Sequence, residues 1–262
     1  MTFQNKIWII TGGAGGIGVE TAKLLIENGA RVMLWDIDET ASGTIATQIG
    51  ADYAVVDCTD YDAIQNAVQS AKSTYGAIHG VVHSAGILHT GAFLEMPPQK
   101  MAHIVAINLT GTVNIAHACL PYLIETKGHL IFLGSISAFQ GAPEFATYGA
   151  SKAAVLNLAQ ALRVELSGKG VHVGVVCPNF VNTGMLSADN RKAAMVHSKS
   201  VFLKVYETPE IARAIVRGIH KRKFMIYTDW RGWLIYFMSR YFAWTGYFLT
   251  VKTWRDAQKH IQ

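Results

Sequence analysis

Lys6-Ile7-Trp8-Ile9-Ile10-Thr11-Gly12-Gly13-Ala14-Gly15-Gly16-Ile17-Gly18 decides the fold of this 262-residue chain. The apolar run Ile7 to Ile10 reads as a strand buried on both faces. An amphipathic stretch from Val19 to Asn28 follows the glycines, so they lie on a strand-to-helix turn. That context is what a dinucleotide fingerprint requires. Gly12 allows a tight turn out of the strand. Gly16 lets the backbone approach a diphosphate with no side chain in the way, and Gly18 lets the helix pack closely. With Gly15 and Ile17 they form a helix start whose free N–H groups and positive dipole end face phosphates.

The second apolar run, Arg31-Val32-Met33-Leu34-Trp35, ends at Asp36, one strand–helix–strand step beyond the glycines. A carboxylate there accepts hydrogen bonds from adenosine ribose hydroxyls and repels a 2′-phosphate. No Lys or Arg lies in the glycine loop to offset that repulsion. The expected cofactor is therefore NAD, not NADP. A helix N-cap role suits Asp38 better than Asp36.

Tyr148 and Lys152, in Tyr148-Gly149-Ala150-Ser151-Lys152, sit four apart at the start of a helix-patterned stretch. That spacing places a phenol and an ammonium on one helix face. A nearby cation favours the phenolate, so the expectation is a lowered phenol pKa and a base near neutral pH.

Together these residues resemble the short-chain dehydrogenase/reductase family, in its single-domain form, over about residues 5 to 228. The glycine loop matches T-G-x-x-x-G-x-G and the Tyr–Lys pair matches Y-x-x-x-K. Asn108, in Ile104-Val105-Ala106-Ile107-Asn108-Leu109, falls where the family carries an Asn on its fourth helix. Ser135 ends the run His129-Leu130-Ile131-Phe132-Leu133, where the family has its catalytic serine. The resemblance implies Asn108, Ser135, Tyr148 and Lys152 as the catalytic set. Tyr148 would take the alcohol proton during hydride transfer to the nicotinamide. Lys152 would hold the nicotinamide ribose, Ser135 the substrate oxygen, and Asn108 a water linking Lys152 to solvent. Asp57 and Cys58 would flank the adenine. Ser84, Ala85 and Gly86 would pack by its ribose, and Pro178, Val181 and Thr183 would lie toward the nicotinamide. Three places depart from the family pattern. The usual N-N-A-G reads His83-Ser84-Ala85-Gly86, the usual S-S reads Gly134-Ser135, and the usual P-G reads Pro178-Asn179. Asn tolerates positive φ, so Asn179 is expected to hold the glycine's conformation.

The chain alternates apolar and amphipathic runs, with strands expected near 6–11, 31–36, 52–57, 78–83, 129–135, 171–177 and 224–228. The expected fold is α/β: a Rossmann-type, doubly wound, seven-stranded parallel sheet with helices on both faces. It forms one catalytic domain, 1–228, and a helical extension, 229–262; the family resemblance implies a substrate lid at 183–205. Met185, Leu186, Met195, Val201 and Phe202 would line an apolar pocket under that lid. Arg191, Lys192, Lys199 and Lys204 are its basic members.

A net charge of +5 without an aromatic-basic groove pattern gives no nucleic-acid signal. The three cysteines, Cys58, Cys119 and Cys177, read as reduced core thiols, and the ten histidines form no metal motif. With no signal peptide evident, the expectation is a cytoplasmic protein. The extension is apolar nearly all round from Trp233 to Leu249, with Arg231, Arg240, Lys252, Arg255 and Lys259 flanking or interrupting it. A surface-lying membrane segment and burial at a subunit interface or over the substrate pocket weigh equally. The family resemblance implies assembly through helices near 99–126 and 147–168, hence a homodimer or homotetramer. The expected substrate is an apolar secondary alcohol or ketone, lipid- or steroid-like. A ketoacyl-type reductase and a non-enzymatic NAD-binding membrane protein are the alternatives.

Overall fold

The computed structural model describes residues 2–186, 190 and 203–258. Strand and helix alternate from the start: β1 (Ile7–Thr11), α1 (Gly16–Glu27), β2 (Arg31–Asp36), α2 (Glu39–Ile49), β3 (Asp52–Val55), α3 (Tyr61–Tyr75) and β4 (Gly80–His83). Then α4 (Pro98–Val105) continues through a π turn, Ala106–Thr110, into α5 (Gly111–Thr126). The second half holds β5 (His129–Leu133), α6 (Ala146–Glu165), β6 (His172–Val176), β7 (Phe180–Val181), β8 (Val205–Tyr206), α7 (Thr208–His220) and β9 (Met225–Ile226). The extension forms α8 (Trp230–Tyr241) and α9 (Ala243–Gln258).

Seven strands make one parallel sheet in the order β3-β2-β1-β4-β5-β6-β9. This is the expected doubly wound sheet. Ile9 pairs with Met33 on one side and Val81 on the other, so β1 is central. Chain order reverses between β1 and β4, which opens a crevice beyond their C-terminal ends. Continuous apolarity in these strands is explained by two cores. On one face Ile64, Val68, Ile115, Leu123 and Val155 cover the sheet from α3, α5 and α6. On the other, Ala22 and Leu25 of α1 interlock with Ile211, Ala214, Ile215 and Ile219 of α7.

A second, two-stranded parallel sheet pairs Phe180 with Val205 and Val181 with Tyr206. It had no counterpart in the sequence reading, because two-residue strands carry no periodicity. It brackets the expected lid. Of the lid residues, Arg191, Lys192, Met195, Lys199, Val201 and Phe202 lie outside the described residues. The extension is two helices rather than one continuous one. Phe242 leaves the helical region at φ −134° and ψ 50°, and α9 begins beside it. Asp229 caps α8 by accepting from the Arg231 N–H at 2.9 Å and pairs with the Arg231 guanidinium at 2.6 Å. It also accepts the Tyr206 hydroxyl.

His129 and His172 face each other across β5 and β6, with Nδ1 to Nδ1 at 2.9 Å. The His172 Nε2–H donates to the Lys223 carbonyl at 2.9 Å, so its Nδ1 is the acceptor and His129 the donor. Both imidazoles are neutral. Burial holds His129 down at about 3 and His172 at about 4.

Candidate active site

The crevice is a cavity of ≈960 Å³ running from the glycine loop to Asn190. At one end, the Gly13 N–H donates to the Trp35 carbonyl at 3.1 Å, so the loop leaving β1 folds over the end of β2. Gly12 has φ +63°, and a Cβ there would lie 2.7 Å from the Ala85 N. A side chain would therefore collide with the loop after β4. A Cβ at Gly18 would lie 2.3 Å from the Gly12 carbonyl oxygen, so Gly18 packs on the turn itself rather than on the sheet. The first intrahelical bond is Val19 N–H to Gly15 O at 2.9 Å. The amides of Gly16, Ile17 and Gly18 thus lack intrahelical acceptors, and no acidic residue occupies the first turn. All three line the cavity with Gly12 and Gly15. A diphosphate fits such a cradle.

The Asp36 carboxylate is fixed beside it. Oδ2 accepts from the Ala14 N–H at 3.0 Å and Oδ1 from the Asp38 N–H at 3.2 Å. Asp38, not Asp36, caps α2, accepting from the Ala41 N–H at 2.9 Å. Asp57 and Cys58 line the same end. Burial, then the Asp57 charge, pushes the Cys58 thiol up to about 11. Its sulfur packs so closely on the helix that a Cβ at Gly111 would come within 2.6 Å.

Ser84, Ala85 and Gly86 form the floor. The Ser84 hydroxyl donates to the Thr11 carbonyl at 2.6 Å, which ties the β4 loop to the end of β1. Just beneath, His83 bridges Thr11 Oγ1 at 2.7 Å and Thr112 Oγ1 at 2.9 Å. Burial holds this imidazole at about 3. A neutral, hydrogen-bonded ring thus fills the place of the family's amide.

Asn108 lies in the π turn and is completely buried. Its Oδ1 accepts from the Ile87 N–H at 2.8 Å, and its Nδ2 donates to the Ile87 carbonyl at 3.0 Å and to Ser151 Oγ at 3.2 Å. Gly86 admits this arrangement, since a Cβ there would sit 3.1 Å from Asn108 Oδ1 and 3.4 Å from Lys152 Nζ. The Asn108 side chain thus fixes the β4 loop against α6.

Ser135 follows β5, and its Oγ accepts from the Ser137 N–H at 3.1 Å to cap a single 3₁₀ turn, Ile136–Ala138. Tyr148 and Lys152 project from the first turns of α6 into the same space. The Lys152 ammonium is buried and donates to the Leu133 carbonyl at 2.8 Å, 5.8 Å from the centre of the Tyr148 ring. Burial pulls Lys152 down to about 8. Burial also pushes the Tyr148 phenol up to about 12, against the opposing effect of its hydrogen bond with Ser135. This corrects the expected direction for Tyr148. The cation is turned toward a backbone carbonyl, and loss of water around the phenolate dominates.

Pro178, Val181 and Thr183 line the cavity beyond β6. The expectation for Asn179 fails: it is not among the positive-φ residues, and its Oδ1 accepts from the Phe180 N–H at 2.9 Å. Beyond Tyr148 the wall is apolar, built by Leu88, Phe145 and Leu186 with Phe180, Met185 and Trp254 packed against them. Trp254 comes from α9, so the extension reaches the cavity wall. Asn190 was not read from the sequence. Its Nδ2 donates to the Leu88 and Met185 carbonyls, each at 2.8 Å, and its Oδ1 accepts from the Thr90 N–H at 3.1 Å. A lone Asn in a polar segment carries no sequence signal for that role.

Residues 6–194 match the short chain dehydrogenase family. A 3-oxoacyl-(acyl-carrier-protein) reductase of Chlamydia muridarum is 32% identical over 215 residues, covering 79% of this chain and 86% of that protein. A 2-(S)-hydroxypropyl-CoM dehydrogenase of Xanthobacter autotrophicus is 33% identical over 226 residues, 81% of this chain and 89% of that protein. Among solved structures, a 3-ketoacyl-(acyl-carrier-protein) reductase from Brucella melitensis complexed with NADH superposes with a TM-score of 0.78 at 21% identity. It covers 87% of this chain and 98% of that one.

Proposed function

The chain belongs to the short-chain dehydrogenase family of oxidoreductases, and on that premise we propose an NAD-dependent enzyme that interconverts a secondary alcohol and a ketone. Its substrate is apolar, lipid- or steroid-like. One observation carries this reading. A single cavity joins a diphosphate cradle and a fixed carboxylate at one end to Ser135, Tyr148 and Lys152 against an apolar wall at the other.

Gly16, Ile17 and Gly18 would hold the diphosphate of the dinucleotide, and Asp36 its adenosine ribose. When bound, the nicotinamide supplies the hydride acceptor and donor. The protein contributes position and proton transfer. Ser135 donates a hydrogen bond to the substrate oxygen and stabilises charge developing there. Tyr148 removes the hydroxyl proton in oxidation and returns it to the oxygen in reduction. Lys152 supplies positive charge beneath the phenol, and Asn108 holds the neighbouring loop in place.

The preference for NAD is supported by Asp36, together with the absence of Lys or Arg beside it among the described lining residues. Lys100 and Lys152 are the lysines lining the cavity among the described residues, and Lys152 sits at the Tyr148 end. The NADH complex of the Brucella protein accords with it. The apolar substrate is supported by Leu88, Phe145, Phe180 and Leu186, which line the cavity. The activity of the Chlamydia relative favours a second reading, reduction of a 3-ketoacyl thioester. A cytoplasmic homodimer or homotetramer through α4, α5 and α6 belongs to the same proposal. It is supported by Val105, Val113 and Val164, which those helices leave exposed.

The test is NADH formation across alcohols from short hydroxy acids to sterols, with NADP⁺, a 3-hydroxyacyl thioester and Tyr148→Phe as parallels. Turnover of apolar alcohols with NAD⁺, lost in the variant, is the expected result. Strong preference for the thioester with NADP⁺ would establish the second reading instead.

A further inference from the structure

We propose that α8 and α9 form a docking surface for an anionic lipid bilayer. Each helix has two distinct faces. On α9, Gly246, Thr250 and Trp254 recur every four residues and face the catalytic domain. Thr250 Oγ1 accepts from Gln140 Nε2 at 2.6 Å, a Cβ at Gly246 would strike the Gln140 side chain at 2.6 Å, and Trp254 packs on the cavity-wall cluster. Trp244 and Phe248 lie two residues away from that row, so they point roughly 160° from it. On α8, Tyr236 packs on Phe139 at 5.1 Å between ring centres, and Gly232 lies against Tyr227. Trp233, Phe237 and Tyr241 form a separate row, each ring 5.1–5.4 Å from the next.

The outward rows are bare. Trp230, Trp233, Tyr241, Phe242, Trp244, Tyr247, Phe248 and Leu249 are 42–68% exposed, whereas Trp8 and Trp35 of the catalytic domain are fully buried. So many neighbouring exposed rings mark a contact site. Charge selects the occupant. Residues 229–258 carry four cations, Arg231, Arg240, Lys252 and Arg255, against two carboxylates, Asp229 and Asp256. Arg240, Lys252 and Arg255 are exposed among the rings. In a symmetric pair of chains these cations would face their own copies, on a protein already carrying +5. Against anionic headgroups they are attracted, while Trp and Tyr rings suit the headgroup depth. Neither helix reaches the about 20 apolar residues of a span, so the pair lies in the interface. Trp254 then places the apolar end of the cavity one helix away from lipid. The docking itself does not depend on the substrate assignment.

The experiment is flotation of the full chain with vesicles of phosphatidylcholine alone and of phosphatidylcholine with phosphatidylglycerol, at low and high salt. Light scattering of the free protein runs beside it. Binding to the anionic vesicles, weakened by salt, is expected. Trp244→Ser with Phe248→Ser should lower it at least about tenfold, with the thermal midpoint unchanged. Failure to float with any vesicle would overturn the proposal. So would the double variant converting a larger assembly into a smaller one, because the face would then be buried between copies.

Discussion

Asn108 holds both backbone groups of Ile87, accepting its N–H at 2.8 Å and donating to its carbonyl at 3.0 Å. This amide clasp joins the π turn to the loop that carries Leu88 and Thr90 into the cavity. The π turn explains how a long helix can aim an amide at a loop, since the widened turn breaks the regular ladder where the site needs it.

Asn108→Leu keeps the volume but leaves a half-buried donor and acceptor of Ile87 without their side-chain partner. A loss of about 2–5 kcal/mol is expected from urea unfolding midpoints. Asn108→Ala should lose a comparable amount. An unchanged midpoint in both would show that water replaces the clasp.

Tyr148, pushed up by burial, is protonated at neutral pH in this arrangement. Ketone reduction draws on that proton directly. Alcohol oxidation requires the phenolate, whose fraction rises about tenfold per pH unit below its pKa. Oxidation should therefore climb through neutral pH toward the titration of Lys152 near 8, while reduction stays nearly level. Tyr148→Phe should lower both by about 10²–10⁴-fold. An oxidation rate independent of pH over that range would contradict this assignment.

Asp36 is held by two backbone amides, so its charge cannot turn away from a 2′-phosphate. Asp36→Ala should relax the cofactor preference by about one to two orders of magnitude. The change should come from weaker NADH binding together with stronger NADPH binding, read by fluorescence titration. Parallel weakening of both would mean that the carboxylate only shapes the loop.

His83, His129 and His172 are buried and neutral, with pKa values of about 3, 3 and 4 against 6.5 for the free side chain. Below about 6.5 the unfolded chain binds protons that the folded chain refuses. Stability is therefore full above that value and falls as pH drops toward 4. The slope reaches roughly 1.4 kcal/mol per pH unit for each histidine. Urea midpoints followed from neutral to mildly acidic pH measure it. His83→Asn should flatten the curve by about one histidine's share.

The parallel sheet was legible because β1, β2, β4, β5 and β6 are unbroken apolar runs, and both cores demand that. The cradle was legible because glycine is the residue that fits where a Cβ would meet backbone at under 3 Å, as at Gly12 and Gly18. Asn108 was readable by position but not by partner, since a contact with Ile87 depends on the path of a loop. The phenol's raised pKa was not readable at all. Spacing places Lys152 near Tyr148, but only the fold turns the ammonium toward Leu133 and strips water from the ring. The two-residue strands β7 and β8 and the anchoring of Asn190 across a hundred residues likewise leave no local trace.

The interlock of α1 with α7 gives the dinucleotide end an order of assembly. The cradle begins at residue 12, but a Cβ at Gly16 would lie 3.1 Å from Thr208, and the apolar side of α1 is closed by Ile211 and Ile215. A chain still emerging from the ribosome can lay down β1, β2 and β4 long before that cover exists. The cover of the first helix comes from the last helix of the catalytic domain, so the nucleotide end is completed by residues about 190 positions after its motif.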